Sequence, residues 1–283
     1  MSLDNVKATL TYTCGTGEVF DLMQTGVRVL SGDLHTWERS PVENELIYGS
    51  SITAVGKAAV TYTVQLIIGG PMADREDFLN AFHRALEYDM AQNVPGVLRC
   101  GEWEIGAFGV SSMTTPNSSN SKTLNTIGFF CPSPFWTKTD NLIVSEDTDS
   151  HAVDEDLDFA FDFEFDFTGA QSRMAEFTIE SLIPSDFVMR IYGPIADPVV
   201  RINGHIYEVD IEIESNAYVE INSAKRTVIK KQRNGLDVNV FYARRKDISV
   251  FEQIPGGRIR VLRNGLYKVE IDVLRKRDEP EWS

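Results

Sequence analysis

The chain has 283 residues, 42% of them hydrophobic, and a formal net charge of −15. That length predicts two domains, each with enough apolar side chains for a core. So acidic a chain is a poor polyanion binder, since phosphate binding relies on clustered Lys and Arg, and no apolar run approaches the ~20 residues of a membrane span. Nucleic-acid binding and membrane insertion are therefore both excluded at this stage.

The start of the chain lacks the basic head and apolar centre of a signal peptide. Cys14, Cys100 and Cys131 are odd in number and far apart. They read as reduced, mostly buried thiols in a soluble protein made in a reducing cytoplasm, not as a disulfide or zinc framework.

Val6 to Thr13 alternates loosely, as a half-buried strand does, and Gly15 and Gly17 mark a turn. Glu18 to Met23 and Gly26 to Leu30 follow as short strands. Ser31 to Gly56 is different: polar, without a clear period, and carrying Trp37, Leu46, Ile47, Tyr48 and Ile52 with little local company. So long an aperiodic segment is usually functional or disordered. It is either a surface loop or an extended arm or hairpin that packs on a neighbouring subunit, and the residues alone leave both open.

Ala58 to Ile68 is a β-branched strand, ended by Gly69-Gly70-Pro71. A single helix is predicted over about Arg75 to Met90, with Asp74 as N-cap. Phe78, Phe82, Leu86 and Met90, spaced by four, form its apolar face with Leu79 beside them. Val97 to Cys100, Trp103 to Ser111 and Leu124 to Cys131 are further strands, and Thr114 to Lys122 is a polar loop tip.

Residues 141–170 carry ten acids and no base. Within them Phe159, Phe161, Phe163, Phe165 and Phe167 alternate with Ala160, Asp162, Glu164 and Asp166, a period of two that puts the rings on one face of a strand and the acids on the other. The ring face is expected to be buried, and this acidic-aromatic stretch is taken as the junction of the two halves.

Beyond it, Tyr207, Val209, Ile211 and Ile213 alternate with acids, Val238, Val240 and Tyr242 with Asn239 and Phe241, and Tyr267, Val269, Ile271 and Val273 with Lys268, Glu270 and Asp272. Asn203-Gly204, Asn234-Gly235 and Asn264-Gly265 are hairpin signals, because both residues tolerate the positive φ of a type I′ turn. Regular short strands without a helix signal argue for an antiparallel β-sandwich. The expected organisation is therefore a β domain with one helix over 1–140, the junction strand over 141–170 and a β-sandwich over 171–283.

Catalytic motifs are missing: there is no Gly-x-Ser-x-Gly elbow, phosphate loop or His-Glu-x-x-His. Asp154, Asp156 and Asp158 copy the start of a calcium loop, but Phe159 and Phe165 stand where Gly and Glu are required. No metal or other cofactor is expected. Tyr192, Tyr218 and Tyr242 read as core rather than as sugar platforms. The basic residues Arg244, Arg245 and Lys246 are a solvated face, or docking partners for Asp162, Glu164 and Asp166.

The run Cys131-Pro132-Ser133-Pro134-Phe135-Trp136, the acidic-aromatic stretch, Ile191-Tyr192-Gly193-Pro194-Ile195-Ala196-Asp197-Pro198-Val199-Val200-Arg201-Ile202-Asn203-Gly204 and Ala224-Lys225-Arg226-Thr227-Val228 occur in that order. In this order the chain resembles the siphophage distal tail protein (Dit) family, a structural hub of the tail tip. The resemblance implies a homohexameric ring, an N-terminal ring-building domain whose arm matches Ser31 to Gly56, and a galectin-like C-terminal sandwich. Its implied partners are the tail tube protein, the tail-tip protein, and a receptor-binding protein or host glycan; no catalytic residues come with it. The rival readings are a carbohydrate-binding β-sandwich module and a carbohydrate-active enzyme.

Overall fold

The structure is a computed structural model that describes residues 9–116, 122–145, 173–232 and 235–281. The acidic-aromatic stretch, with Phe159 to Phe167 and Asp162, Glu164 and Asp166, lies outside the described residues, as does Asn234. The chain divides into two compact units, Met1–Lys138 with Lys276–Ser283, and Thr139–Arg275. The second unit is thus an insertion in the sequence of the first, and the last eight residues belong with the N-terminal half.

Unit 1 begins with β1 (Leu10–Thr13), β2 (Val19–Asp21), β3 (Val27–Gly32), β4 (Ser40–Glu45), β5 (Ser50–Gly56) and β6 (Val60–Gly69). Helix α1 (Met72–Gln92) follows, then β7 (Gly96–Cys100), β8 (Trp103–Pro116), β9 (Lys122–Cys131) and β10 (Trp136–Val144), which runs across the boundary. Strand β8 serves two sheets. Its first half pairs β7, which pairs β1, which pairs β2; its second half pairs β9, which pairs β6, which pairs β3. The register shifts between Gly109 and Ser111, where the strand turns from one set of partners to the other, the usual work of a bulge at a sheet corner.

Burial alternates along β6, with Tyr62, Val64, Leu66 and Ile68 inward. These meet Ile127 and Phe129 of β9, Tyr12 of β1 and the inner face of α1 in one core. Each such side chain contributes roughly 1.5–3 kcal/mol by leaving water. Tyr12 stands edge-on to Phe82, 5.8 Å between centroids.

The helix departs from expectation at both ends. Its N-cap is Pro71, with φ −52° and ψ 150°, and Asp74 lies inside the first turn. Pro already has the φ of a helix start and no N–H to satisfy, so the helix follows the Gly70 turn directly. At the other end Met90 is exposed while Phe82 and Leu86 are buried. A spacing of four drifts 40° per step at 3.6 residues per turn, so by Met90 the face has rotated away from the core. Asn93, in the left-handed region at φ 54°, closes the helix as a left-handed cap residue does.

Unit 2 contains β11 (Arg173–Ile179), β12 (Asp186–Tyr192), β13 (Ile195–Ala196), β14 (Val199–Ile202), β15 (His205–Glu208), β16 (Glu212–Ile213), β17 (Tyr218–Asn222), β18 (Thr227–Lys231), β19 (Asp237–Asn239), β20 (Gly257–Arg263) and most of β21 (Val269–Arg277), whose last two residues fall in unit 1. One sheet runs β21-β12-β17-β18-β19 and the other β11-β20-β14-β15, all antiparallel. Phe187, Met189, Ile191, Val219 and Ile271 of the first share a core with Val200, Ile202, Ile259 and Val261 of the second, as the two inner faces of a sandwich do.

Four predicted features of this unit come out differently. The alternating run Tyr207 to Ile213 is not one strand: it leaves the sheet at Val209, which bridges Arg244, and re-forms as β16. Residues Phe241–Ala243 form a 3₁₀ turn, leaving Tyr242 exposed. Of the Asn-Gly pairs, Asn203 (φ 47°) and Gly204 (φ 88°) make the expected β14–β15 hairpin. Asn264-Gly265 does not, because β20 and β21 belong to different sheets; Asn264 Oδ1 instead accepts the Val199 N–H at 3.0 Å. Tyr192 and Tyr218 are half-buried neighbours, 5.2 Å between ring centroids, on the outer face of their sheet rather than in the core.

Candidate functional site

The segment without a period becomes a β-hairpin. Strands β4 and β5 pair only with each other, with a register shift between Val42 and Glu43. Thr53 Oγ donates to the Val42 carbonyl (3.0 Å) and Ser50 Oγ to Glu43 Oε2 (2.6 Å). At the tip the Leu46 N–H reaches the Gly49 carbonyl at 2.9 Å, and Gly49 takes φ +84°, which suits a residue without Cβ.

Every residue of both strands is exposed. Ile47 and Tyr48 at the tip are each 92% exposed, and Leu46, Ile52, Val42 and Val55 are also largely in solvent. An isolated two-stranded hairpin is marginal in water. Both edges of this one carry unpaired N–H and C=O groups, which soluble proteins usually protect. An apolar tip of this kind marks an interaction surface. Trp37, on the approach to the hairpin, is also about half exposed. The five arm residues expected to leave the local core are therefore all on its outside.

The root of the hairpin is held firmly. Arg39 precedes β4 and Lys57 follows β5, and both bind the carboxylate of Asp278. Arg39 donates from Nε at 3.0 Å and Nη2 at 2.6 Å to Oδ2; Lys57 Nζ donates to Oδ1 at 2.9 Å and to the main-chain oxygen at 3.3 Å. The Lys57 side chain is only 4% exposed, and its ammonium lies 5.0 Å from the centroid of the Phe135 ring, a cation–π distance. One carboxylate thus ties both legs of the arm to the C-terminal segment of the same unit.

Burial alone would push the Asp278 carboxyl up, but hydrogen bonds from Arg39 and Lys57 outweigh it and hold the group below its usual value. A depressed folded-state value means the clamp is at full strength above the ordinary carboxylate range, near ~3.9. It is lost only as pH falls through the lower folded value. Asp278→Asn reproduces the acid form at neutral pH. It should speed amide exchange across residues 39–57 about tenfold, while exchange in β6 and β9 stays unchanged. Identical exchange in the variant would show that the carboxylate does not hold the root.

The other predicted site residues are dispersed. Arg245 is taken by Glu208 at 2.7 Å and by Asp247 at 2.7 Å, Arg244 stacks 3.8 Å over the Phe241 ring, and Lys246 is exposed. His83 bonds Ser112 Oγ at 2.9 Å and His205 the Ser249 carbonyl at 2.8 Å. Among the described residues no His, Cys, Asp or Glu cluster is arranged to hold a metal ion. The three cysteines are free thiols; burial raises Cys100 and pushes Cys131 up to about 12, which suppresses the thiolate. Among the described residues no helix is long and apolar enough to cross a membrane.

No protein-family model matches the chain, and no curated protein matches it by sequence. Solved structures do match. The SPP1 Dit (gp 19.1) protein, described as a paradigm of the hub adsorption apparatus in phages infecting Gram-positive bacteria, superposes with a TM-score of 0.63 at 11% identity, over 96% of this chain and all of that one. A chain of the phage P2 baseplate in its activated, calcium-bound conformation gives 0.60 at 11% identity, over 97% of this chain and all of that one. The strontium-bound form of that baseplate gives the same values. The chain therefore has the fold of phage distal tail and baseplate hub proteins along its whole described length.

Proposed function

We propose that this protein is a structural component of a phage tail tip, forming a hexameric ring hub between the tail tube and the host-adsorption apparatus. The observation that carries this reading is the hairpin of residues 40–56, a fixed arm with an apolar tip that nothing in its own unit covers, on a fold shared end to end with tail hub proteins. In a ring, each arm lays Trp37, Leu46, Ile47, Tyr48 and Ile52 on the next protomer. A closed ring of head-to-tail contacts requires such a heterologous patch.

Unit 1 builds the ring and meets the tail tube and tail-tip proteins. Unit 2 carries a receptor-binding protein or a host glycan. The acids of 162–166 meet Lys246 and its neighbours within or between protomers. The role is non-enzymatic, its place is the virion tail tip, and its assembly occurs in the bacterial host cytoplasm.

Negative-stain imaging of the purified protein tests the proposal. Rings with sixfold symmetry are expected, with a mass near six chains by light scattering. A monodisperse monomer at tens of micromolar would overturn the ring.

A further inference from the structure

The outer face of the sheet β11-β20-β14-β15 differs in charge from the rest of this acidic chain. Arg258 and Arg260 alternate along β20 with the buried Ile259 and Val261, so both point outward, followed by Leu262. Arg201 of β14 lies beside Leu262 and is exposed, with no ion-pair partner among the described residues. Glu176 of β11 is the carboxylate that serves this group: Arg260 Nε donates to Oε1 at 2.9 Å, Arg258 Nε donates to Oε2 at 3.0 Å, and Arg258 Nη2 also reaches Oε2. Three guanidiniums and one carboxylate leave a net positive face.

The arginines are open to solvent, with side chains 70% and 61% exposed for Arg258 and Arg260. They line a cleft of about 510 Å³ with Leu262 and the Asn203-Gly204 turn. That turn is stapled down: the Arg260 N–H donates to Asn203 Oδ1 at 2.8 Å, and Asn203 N–H to the Arg260 carbonyl at 3.0 Å. The cleft wall is therefore rigid, while most of the guanidinium N–H groups remain unspent.

We propose that this cleft docks an extended acidic segment of a partner protein, with carboxylates at alternate residues facing Arg258 and Arg260 and an apolar side chain over Leu262. Residues two apart on a strand repeat every ~6.6–6.8 Å, so a second extended chain laid along β20 meets the two arginines in step. Guanidiniums take carboxylates in a planar fork, and Glu176 already displays that pairing as an internal occupant. A saccharide fits less well, because the cleft lining offers Leu262 and no aromatic ring for a sugar face. The proposal is independent of the ring reading.

The probe is a fluorescein-labelled Asp-Ser-Asp-Ser-Val-Ser peptide, whose alternate residues present two carboxylates and then an apolar side chain, titrated against the full chain by anisotropy at low and high salt. Saturable binding that weakens with salt is expected. Arg258→Gln with Arg260→Gln should weaken it about tenfold, and Glu176→Gln should tighten it about threefold by removing the internal competitor. Circular dichroism establishes that each variant is folded, and these exposed positions tolerate the change. Equal binding of the Asn-Ser-Asn-Ser-Val-Ser peptide, an unchanged affinity in Glu176→Gln, or no binding by the peptide would overturn the proposal. So would a hyaluronan tetrasaccharide that binds through these arginines where the peptide does not.

Discussion

Asp89→Ala should lower the stability of unit 1 by about 3–5 kcal/mol, the largest loss expected from one substitution in this chain. Asp89 lies near the end of α1 and is completely buried. Its carboxylate accepts the Tyr12 hydroxyl at 2.6 Å, the Gly15 N–H at 2.7 Å and the Cys14 thiol at 3.1 Å. The helix is thereby tied to β1 and to the turn that follows it. Alanine would leave the buried Tyr12 hydroxyl and Cys14 thiol with only long 3.5 Å contacts to the Ala107 and Ala85 carbonyls and would take the acceptor from the part-buried Gly15 N–H; each buried unsatisfied group costs roughly 1–3 kcal/mol.

The same knot explains Gly96, where a Cβ would stand 2.3 Å from the Tyr12 hydroxyl oxygen and 2.7 Å from Asp89 Oδ2. Asp89→Asn keeps the shape and one acceptor, and should fall between wild type and alanine. Trp37, Trp103 and Trp136 belong to unit 1, and the described residues of unit 2 include no tryptophan. Tryptophan fluorescence in a denaturant series therefore follows this unit and ignores the other. An unchanged midpoint for Asp89→Ala would show that water or a rearranged helix end satisfies the donors.

Removing residues 41–55 and joining the ends with two glycines should convert the proposed hexamer to a monomer, with little change in the thermal midpoint of either unit. The arm contributes almost nothing to its own core: every residue of β4 and β5 is exposed, and the hydrophobic cluster of unit 1 includes none of them. The clamp residues Arg39, Lys57 and Asp278 stay in place. A milder pair, Ile47→Asp with Tyr48→Asp, charges the tip and should produce the same dissociation if those side chains are what the neighbour buries. Light scattering decides the mass, and calorimetry decides whether the body is intact. Hexamers that persist after the deletion would assign the ring contacts elsewhere.

The patterned parts of this chain were legible in advance for physical reasons. The β-branched run that becomes β6, the Asn203-Gly204 hairpin and the four-spaced aromatic face of α1 depend on neighbours close in sequence. The arm was legible only in outline: its apolar residues stood out for lack of company, but neither its hairpin pairing nor its shifted register shows in composition. Asn264-Gly265 misled because the same dipeptide bridges two sheets when its flanking strands find other partners. Tyr242 misled because a period of two was extended through a 3₁₀ turn. The Asp278 clamp and the Asp89 knot left no local signal. Lys57 and Asp278 are 221 positions apart, and Asp89 and Tyr12 are 77 apart, so only the folded chain brings them together.

The order in which the chain divides has a consequence for how it is made. Unit 2 is interposed between Lys138 and Lys276, so a ribosome adding roughly 5–20 residues per second finishes all of unit 2 before it reaches the closing segment of unit 1. Asp278 is in that segment. The nascent chain therefore exposes its arm early, without the carboxylate that fixes the root, and gains it only when synthesis is almost over. On a polysome every half-made copy therefore carries a hairpin whose two legs are not yet tied together, and the clamp closes only in the last few residues of synthesis.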